Sequence, residues 1–183
     1  MPTVRHNLIY LTGFMGSGKS TIAPILANVL GYDVVDLDEE IVKVTGKKIP
    51  VIFLEEGEQR FRDVERSIIQ QLCTRNHCVV SLGGGTIAND INLNVVKSSG
   101  LLIYLKMTEE EIFQRLRHKT DRPMLRGTEG NVLTEAELRN RIRHILATRE
   151  PFYNQANVVI ETKNQRVGIT VDSIVRAISR LVE

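Results

Sequence analysis

Short apolar runs alternate along the chain with longer stretches of helical period. Residues 8–11 (Leu-Ile-Tyr-Leu), 78–82, 101–105 and 158–160 are apolar runs of strand length, and 33–36 (Asp-Val-Val-Asp) is a shorter one. Between them, residues 17–30, 39–45, 49–55, 58–73, 91–97, 109–117 and 135–148 predict helices. Phe61, Val64, Ile68 and Leu72 recur at helical spacing, and Val171, Ile174, Val175, Ile178 and Leu181 form the apolar stripe of a last helix. Thr108-x-x-Glu111 and Thr134-x-x-Glu137 read as capping boxes. Gly31 and Gly46 stand where helices should stop. Pro24 has no N–H to give, so a bend or a loosened turn is expected in the first helix.

Strands separated by helices predict one α/β domain over residues 1–183, with helices on both faces of a central, five-stranded parallel sheet. The near-continuous apolar run 101–105 belongs in the middle of such a sheet. Ligands bind beyond the carboxyl ends of parallel strands. Segments 13–20, 36–38 and 83–85 all fall at such ends.

Residues 13–20, Gly-Phe-Met-Gly-Ser-Gly-Lys-Ser, form a G-x-x-x-x-G-K-S phosphate loop between a strand and a helix. Gly13, Gly16 and Gly18 let the backbone wrap a polyphosphate with its N–H groups inward. The helix behind the loop adds a positive dipole. Lys19 can reach the β- and γ-phosphates, and the Ser20 hydroxyl can hold Mg²⁺.

Asp36-Leu37-Asp38 ends the second strand. If the strand continues, both carboxylates point the same way, one supporting Mg²⁺ and the other accepting or positioning a hydroxyl proton. The competing reading is a helix N-cap with solvated acids. Gly83-Gly84-Gly85 offers backbone N–H groups to a ligand. Arg62 and Glu65 can pair across one helical turn, either as an ordinary surface pair or as a guanidinium fixed to grip a carboxylate.

Charge narrows the partners. Twenty-four basic and 22 acidic side chains leave a net charge of +2, too balanced to argue for nucleic acid. The basic residues nonetheless cluster, at Arg115, Arg117, Lys119, Arg122 and Arg126 and at Arg139, Arg141, Arg143 and Arg149. No apolar run approaches the roughly 18 residues of a membrane span, and the segment before the first strand is too short for a signal peptide. Cys73 and Cys78 lack the spacing of a redox pair and are expected to stay reduced. A soluble, cytoplasmic protein that binds neither membrane nor nucleic acid is expected, as a monomer.

The loop 13–21, Asp36-x-Asp38, Gly57-Glu58-x-x-Phe61-Arg62-x-x-Glu65, Gly83-Gly84-Gly85, Arg122-Pro123-Met124-Leu125 and Arg149-x-Pro151-x-Tyr153 occur in an order and spacing that resemble shikimate kinases. The phosphate loop is generic, whereas the combination of the other five segments is specific. The resemblance implies a three-layer P-loop kinase fold of the nucleoside-monophosphate-kinase-like group. A substrate-binding helical insertion lies near residues 37–66 and a mobile lid near 117–131. The implied reaction moves the γ-phosphoryl of ATP to the 3-hydroxyl of shikimate, with Mg²⁺, in aromatic amino-acid biosynthesis.

The same resemblance implies roles. Asp38 binds the accepting hydroxyl and is a candidate base, and Asp36 stands near Mg²⁺ beside Ser20. Arg62, Arg149 and the Gly83–Gly85 turn bind the acceptor's carboxylate and hydroxyls, with Glu65 holding Arg62 and Phe53 and Phe61 lining the pocket. The loop residues Gly13, Gly16, Ser17, Gly18, Lys19, Ser20 and Thr21 hold ATP, with Arg115 on the adenine. Lys19 and Arg122 stabilise the transferring phosphoryl. Leu37 stands where the family often has threonine, and Met124 where leucine is usual. Two other readings compete: a different small-molecule kinase of this fold, such as a gluconate kinase, and a nucleotide-binding regulator without turnover. The Phe61-Arg62 motif and the three glycines speak against the first. The complete set of Lys19, Ser20, Asp36, Asp38, Arg62, Arg122 and Arg149 speaks against the second.

Overall fold

The computed structural model describes residues 6–117, 133–163 and 165–182. Strands β1 (Leu8–Thr12), β2 (Asp33–Asp36), β3 (Cys78–Ser81), β4 (Leu101–Lys106) and β5 (Val158–Glu161) form one sheet in the order β2-β3-β1-β4-β5. Every neighbouring pair is parallel. Helices α1 (Lys19–Leu30), α2 (Leu37–Thr45), α3 (Ile49–Glu55), α4 (Gly57–Leu72), α5 (Asp90–Ser99), α6 (Glu109–Leu116), α7 (Glu135–Tyr153) and α8 (Val167–Ile178) complete the described residues. The expected five-stranded parallel α/β architecture is the one found.

The sheet explains the apolar runs. β1 is buried along its whole length, and its side chains alternate between two cores. Leu8 and Tyr10 join α2, α4 and α5 on one face, while Ile9 and Leu11 join α1 and α8 on the other. The edge strands β2 and β5 are only partly covered, and they carry acidic residues that the central β1 and β3 lack. A third cluster sets Phe14, at the start of the phosphate loop, against Ile112, Phe113 and Leu116 of α6 and Leu138, Ile142 and Ile145 of α7.

Both capping boxes form as the sequence predicts. One element differs from expectation. Helix α7 continues to Tyr153 instead of stopping near residue 148. Pro151 lies in its last turn, and burial of Tyr153 outweighs the lost backbone bond. Helix α1 extends from Lys19 to Leu30 with Pro24 inside it, on an exposed position. Cys73 and Cys78 are both free thiols. No described helix is long and apolar enough to cross a membrane. The expected lid lies outside the described residues except for Arg117, and Arg122, Pro123, Met124 and Leu125 lie outside them as well.

Gly100, between α5 and β4, brings a helix end close against the sheet. A Cβ there would stand 2.5 Å from the Leu8 carbonyl oxygen and 2.9 Å from a ring carbon of Tyr10. Its φ is −165°, so the conflict is steric alone. Gly100→Ala is therefore expected to destabilise the fold by about 1–3 kcal/mol, read as a lower urea midpoint; an unchanged midpoint would show that β1 and α5 can separate at no cost.

Candidate active site

Three strands deliver the site. β1 runs into the phosphate loop, where Gly13, Gly16 and Gly18 adopt φ of 147°, 83° and 93°. Those are values that side-chain-bearing residues avoid, so the glycine spacing is a backbone requirement. A Cβ on Gly13 would also lie 2.6 Å from the Leu105 carbonyl oxygen. The Lys19 ammonium, largely buried, donates to the carbonyls of Gly13 (2.8 Å) and Phe14 (3.1 Å) across the mouth of the loop. Arg115 on α6 reaches over and donates to the Gly16 carbonyl at 2.9 Å.

β2 ends at Asp36, and the chain turns directly into α2. Strand conformation does not persist to Asp38, so the geometry imagined for a continuing strand is not the one present. Asp36 Oδ1 caps α2 by accepting the Asp38 N–H at 3.0 Å. Asp36 Oδ2 accepts the Ser20 hydroxyl at 2.8 Å. The capping reading and the reading beside the phosphate loop thus hold together, because a carboxylate has two oxygens to give. Leu37, between the aspartates, is fully buried in the core.

β3 ends in the glycine turn, and the charged groups gather around it. A Cβ on Gly83 would stand 3.1 Å from Asp38 Oδ1 and 3.8 Å from Glu65 Oε1. One on Gly84 would lie 3.5 Å from Arg149 Nη1, and one on Gly85 would lie 3.3 Å from both Arg149 Nη2 and Arg62 Nη2. Arg62 Nη1 donates to Glu65 Oε2 at 2.9 Å. Glu65 is 1% exposed, so this is a buried pair and not the ordinary surface pair. Burial by itself would lower the Arg62 pKa; the Glu65 and Glu58 carboxylates outweigh it and hold the guanidinium above its usual range. Arg62 also lies over the Phe61 ring, which packs on half-exposed Phe53 with ring centres 4.7 Å apart.

The resulting cleft is about 520 Å³ and runs from Ser17, Lys19 and Ser20 past Asp36 and Asp38 to Gly83 and Gly84. That suits a small-molecule site.

With this geometry in view, relatives place the chain. A family model described as Shikimate kinase matches residues 15–179. The chain belongs to the shikimate kinase family. It is 46% identical over 177 residues to a shikimate kinase of Chlorobium phaeobacteroides (strain DSM 266), covering 97% of this chain and 93% of that one. It is 47% identical over 175 residues to one of Chlorobaculum tepidum, covering 96% and 92%. A solved shikimate kinase of Acinetobacter baumannii in complex with shikimate superposes with a TM-score of 0.84 at 33% identity, covering 97% and 94%. A gluconokinase of Sinorhizobium meliloti shares the fold alone, at 18% identity and a TM-score of 0.60.

Within this shikimate kinase fold, further groups complete the site that sequence reading passed over. Thr162, Lys163 and Gln165, from the segment joining β5 to α8, and Val167 and Thr170 of the first turn of α8 line the cleft as well. The rule that ligands sit beyond strand carboxyl ends applies to β5 as well and could have found them. Tyr153 was visible only as the end of a motif. It is fully buried, its ring lies 5.0 Å from that of Tyr104, and its hydroxyl donates to the Gly84 carbonyl. Burial pushes its phenol up to about 12, against the lowering pull of Arg149. The basic cluster of α7 divides: Arg139 and Arg143 pair with Glu110 (2.6 Å) and Glu109 (2.9 Å) of α6, while Arg149 turns to the glycines.

Tyr153→Phe keeps the buried ring and strands the Gly84 carbonyl. Loss of one such bond is expected to lower stability by about 1–3 kcal/mol, measured by thermal unfolding; a melting temperature equal to the parent's would show that the hydroxyl is not what holds the turn.

Proposed function

We propose that the chain transfers the γ-phosphoryl of ATP to the 3-hydroxyl of shikimate, giving shikimate 3-phosphate and ADP. The observation that carries this reading is that one glycine turn is met from one side by Asp38 and from the other by Arg62 and Arg149, at the end of a phosphate-loop cleft. Two guanidiniums facing one backbone turn suit a small acceptor carrying a carboxylate, which each can grip by two parallel hydrogen bonds. The carboxylate of shikimate fits that clamp, and its hydroxyls then face Gly83 and Asp38.

Asp38 orients the accepting hydroxyl and takes its proton as the bond to phosphorus forms. The loop backbone from Gly13 to Thr21 and the α1 N-terminus hold the phosphates. Lys19, with three donors on a flexible stem, exchanges its loop carbonyls for phosphate oxygens, a modest change in position. Arg115 closes the nucleotide side of the cleft against the adenine. Phosphoryl transfer needs positioning and charge neutralisation more than covalent help, so these groups are sufficient in kind.

Ser20 and Asp36 fit Mg²⁺. Their donor set is one hydroxyl and one carboxylate, already in contact at 2.8 Å, and Mg²⁺ favours oxygen ligands completed by phosphates and water. Bound there with the nucleotide, the ion would neutralise charge on the β- and γ-phosphates. The helical region 37–66 serves as the acceptor-binding part of a single kinase domain. The same reading has the enzyme act as a cytoplasmic monomer on small molecules, without membrane or nucleic acid. Arg122, expected from the sequence to act on the transferring phosphoryl, lies outside the described residues.

The test is ADP formation with Mg·ATP and shikimate, with gluconate and nucleoside monophosphates as parallel acceptors. Turnover with shikimate alone is expected; nucleotide binding with turnover on none of them would make the chain a regulator. Asp38→Asn is expected to slow turnover by about 10²–10⁴-fold while leaving ATP affinity nearly unchanged. A near-normal rate would remove Asp38 from the chemistry.

A further inference from the structure

Thr86 follows the glycine turn and is fully buried. Its hydroxyl donates to Glu65 Oε1 at 2.8 Å. Its carbonyl accepts from Asn92 Nδ2 at 2.8 Å and from Asn89 Nδ2 at 3.2 Å. Asn89 is the N-cap of α5, so the Thr86 backbone is pinned to the first turn of that helix. The other oxygen of Glu65 accepts from Arg62. Each oxygen of the buried carboxylate therefore has a donor of its own: one belongs to a fixed turn, the other to Arg62.

Arg62 also has a second carboxylate within reach. Glu58, one turn earlier on α4 and well exposed, lies 3.2 Å from Nη2 and 3.3 Å from Nε. The guanidinium is thus drawn inward by Glu65 and outward by Glu58. Both contacts form together in one conformation, so any loosening of Glu65 leaves Glu58 as the firmer hold on the guanidinium.

We infer that Thr86 is a positioning residue. Its hydroxyl anchors the Glu65 carboxylate beside the glycine turn, and through Glu65 it keeps Arg62 directed at Gly85, where the acceptor's carboxylate is gripped. A buried carboxylate needs its lone pairs satisfied, and a hydroxyl donating to an ionised oxygen is among the stronger hydrogen bonds. Without it, Glu65 keeps one partner, and Arg62 follows Glu58 toward solvent. The effect falls on acceptor binding and leaves the nucleotide side, held by other strands, untouched. This inference rests on the reading of Arg62 as a shikimate ligand.

Thr86→Val keeps the volume and removes the donor, and Thr86→Ser keeps the donor. The valine variant is expected to raise the KM for shikimate about tenfold, with the KM for ATP nearly unchanged, and the serine variant to restore it. An unchanged shikimate KM, an equal loss for both substrates, or a serine variant no better than valine would overturn the inference. Thr86→Cys, a weak donor of similar size, is expected to fall between the two and serves if valine does not yield folded protein. The side-chain NMR signals of Arg62, assigned with Arg62→Lys, separate this inference from the functional reading. They are expected to shift in Thr86→Val and to stay in place in Thr86→Ser, with no acceptor present; unchanged signals in the valine variant would defeat the inference. Absence of shikimate turnover in the parent enzyme would defeat only the functional reading.

Discussion

Burial of the central strands on both faces directs polar chemistry to the ends of the sheet. β3, β1 and β4 are wrapped by apolar side chains above and below, and they run parallel. Their carboxyl ends therefore open at a single edge. The phosphate loop, the aspartate pair and the glycine turn stand at or just past the carboxyl ends of β1, β2 and β3, so the sheet brings them together whatever else they do. Adding Phe14 to the α6–α7 cluster makes the loop part of a core and not a free segment. The position of Lys19 is accordingly set by packing before any phosphate is met.

The two helices around that third cluster show how the basic residues are shared out. Arg139 lies over the Phe113 ring at 3.7 Å while pairing with Glu110, and Arg143 pairs with Glu109. Arg139 holds the Glu110 carboxyl down to about 2, helped by Gln114. These exposed pairs stabilise little one by one. Together with the apolar contact they join α6 to α7, and α6 carries the Arg115 that reaches Gly16. In sequence the arginines of α7 look alike; in space Arg139 and Arg143 face α6 and Arg149 faces the glycine turn.

What could be read from the sequence was whatever depends on residues close together in the chain. The phosphate loop, the strand runs, both capping boxes and the five-stranded sheet are local signals or simple consequences of alternation. Asp36 resisted because its two oxygens serve two masters, one local and one sixteen residues back, and a single role was being sought. The end of α7 was missed because Pro151 argues locally for a stop, whereas Tyr153 is held by Gly84, 69 residues earlier in the chain. Thr86 carries no motif of its own; its partner lies on a different helix and only the fold brings the two into contact. The residues lining the cleft after β5 have no chemical signature in sequence and become visible through topology.

The Arg62–Glu65 pair is the place where stability and function part. A buried ion pair gains little over a well-packed apolar pair, since desolvation offsets most of the attraction. Replacing both partners by apolar side chains of similar volume would cost the fold little. Stability therefore gives no reason for a charge there. A carboxylate at that depth, satisfied by Thr86 and by one edge of Arg62, does something an aliphatic group cannot. It fixes the direction of a guanidinium whose other partner, Glu58, is well exposed. In the proposed reaction the remaining donors of Arg62 are what a carboxylate ligand meets. The cost of burying Glu65 is thus incurred in the folded protein before the acceptor arrives, and binding need not supply it.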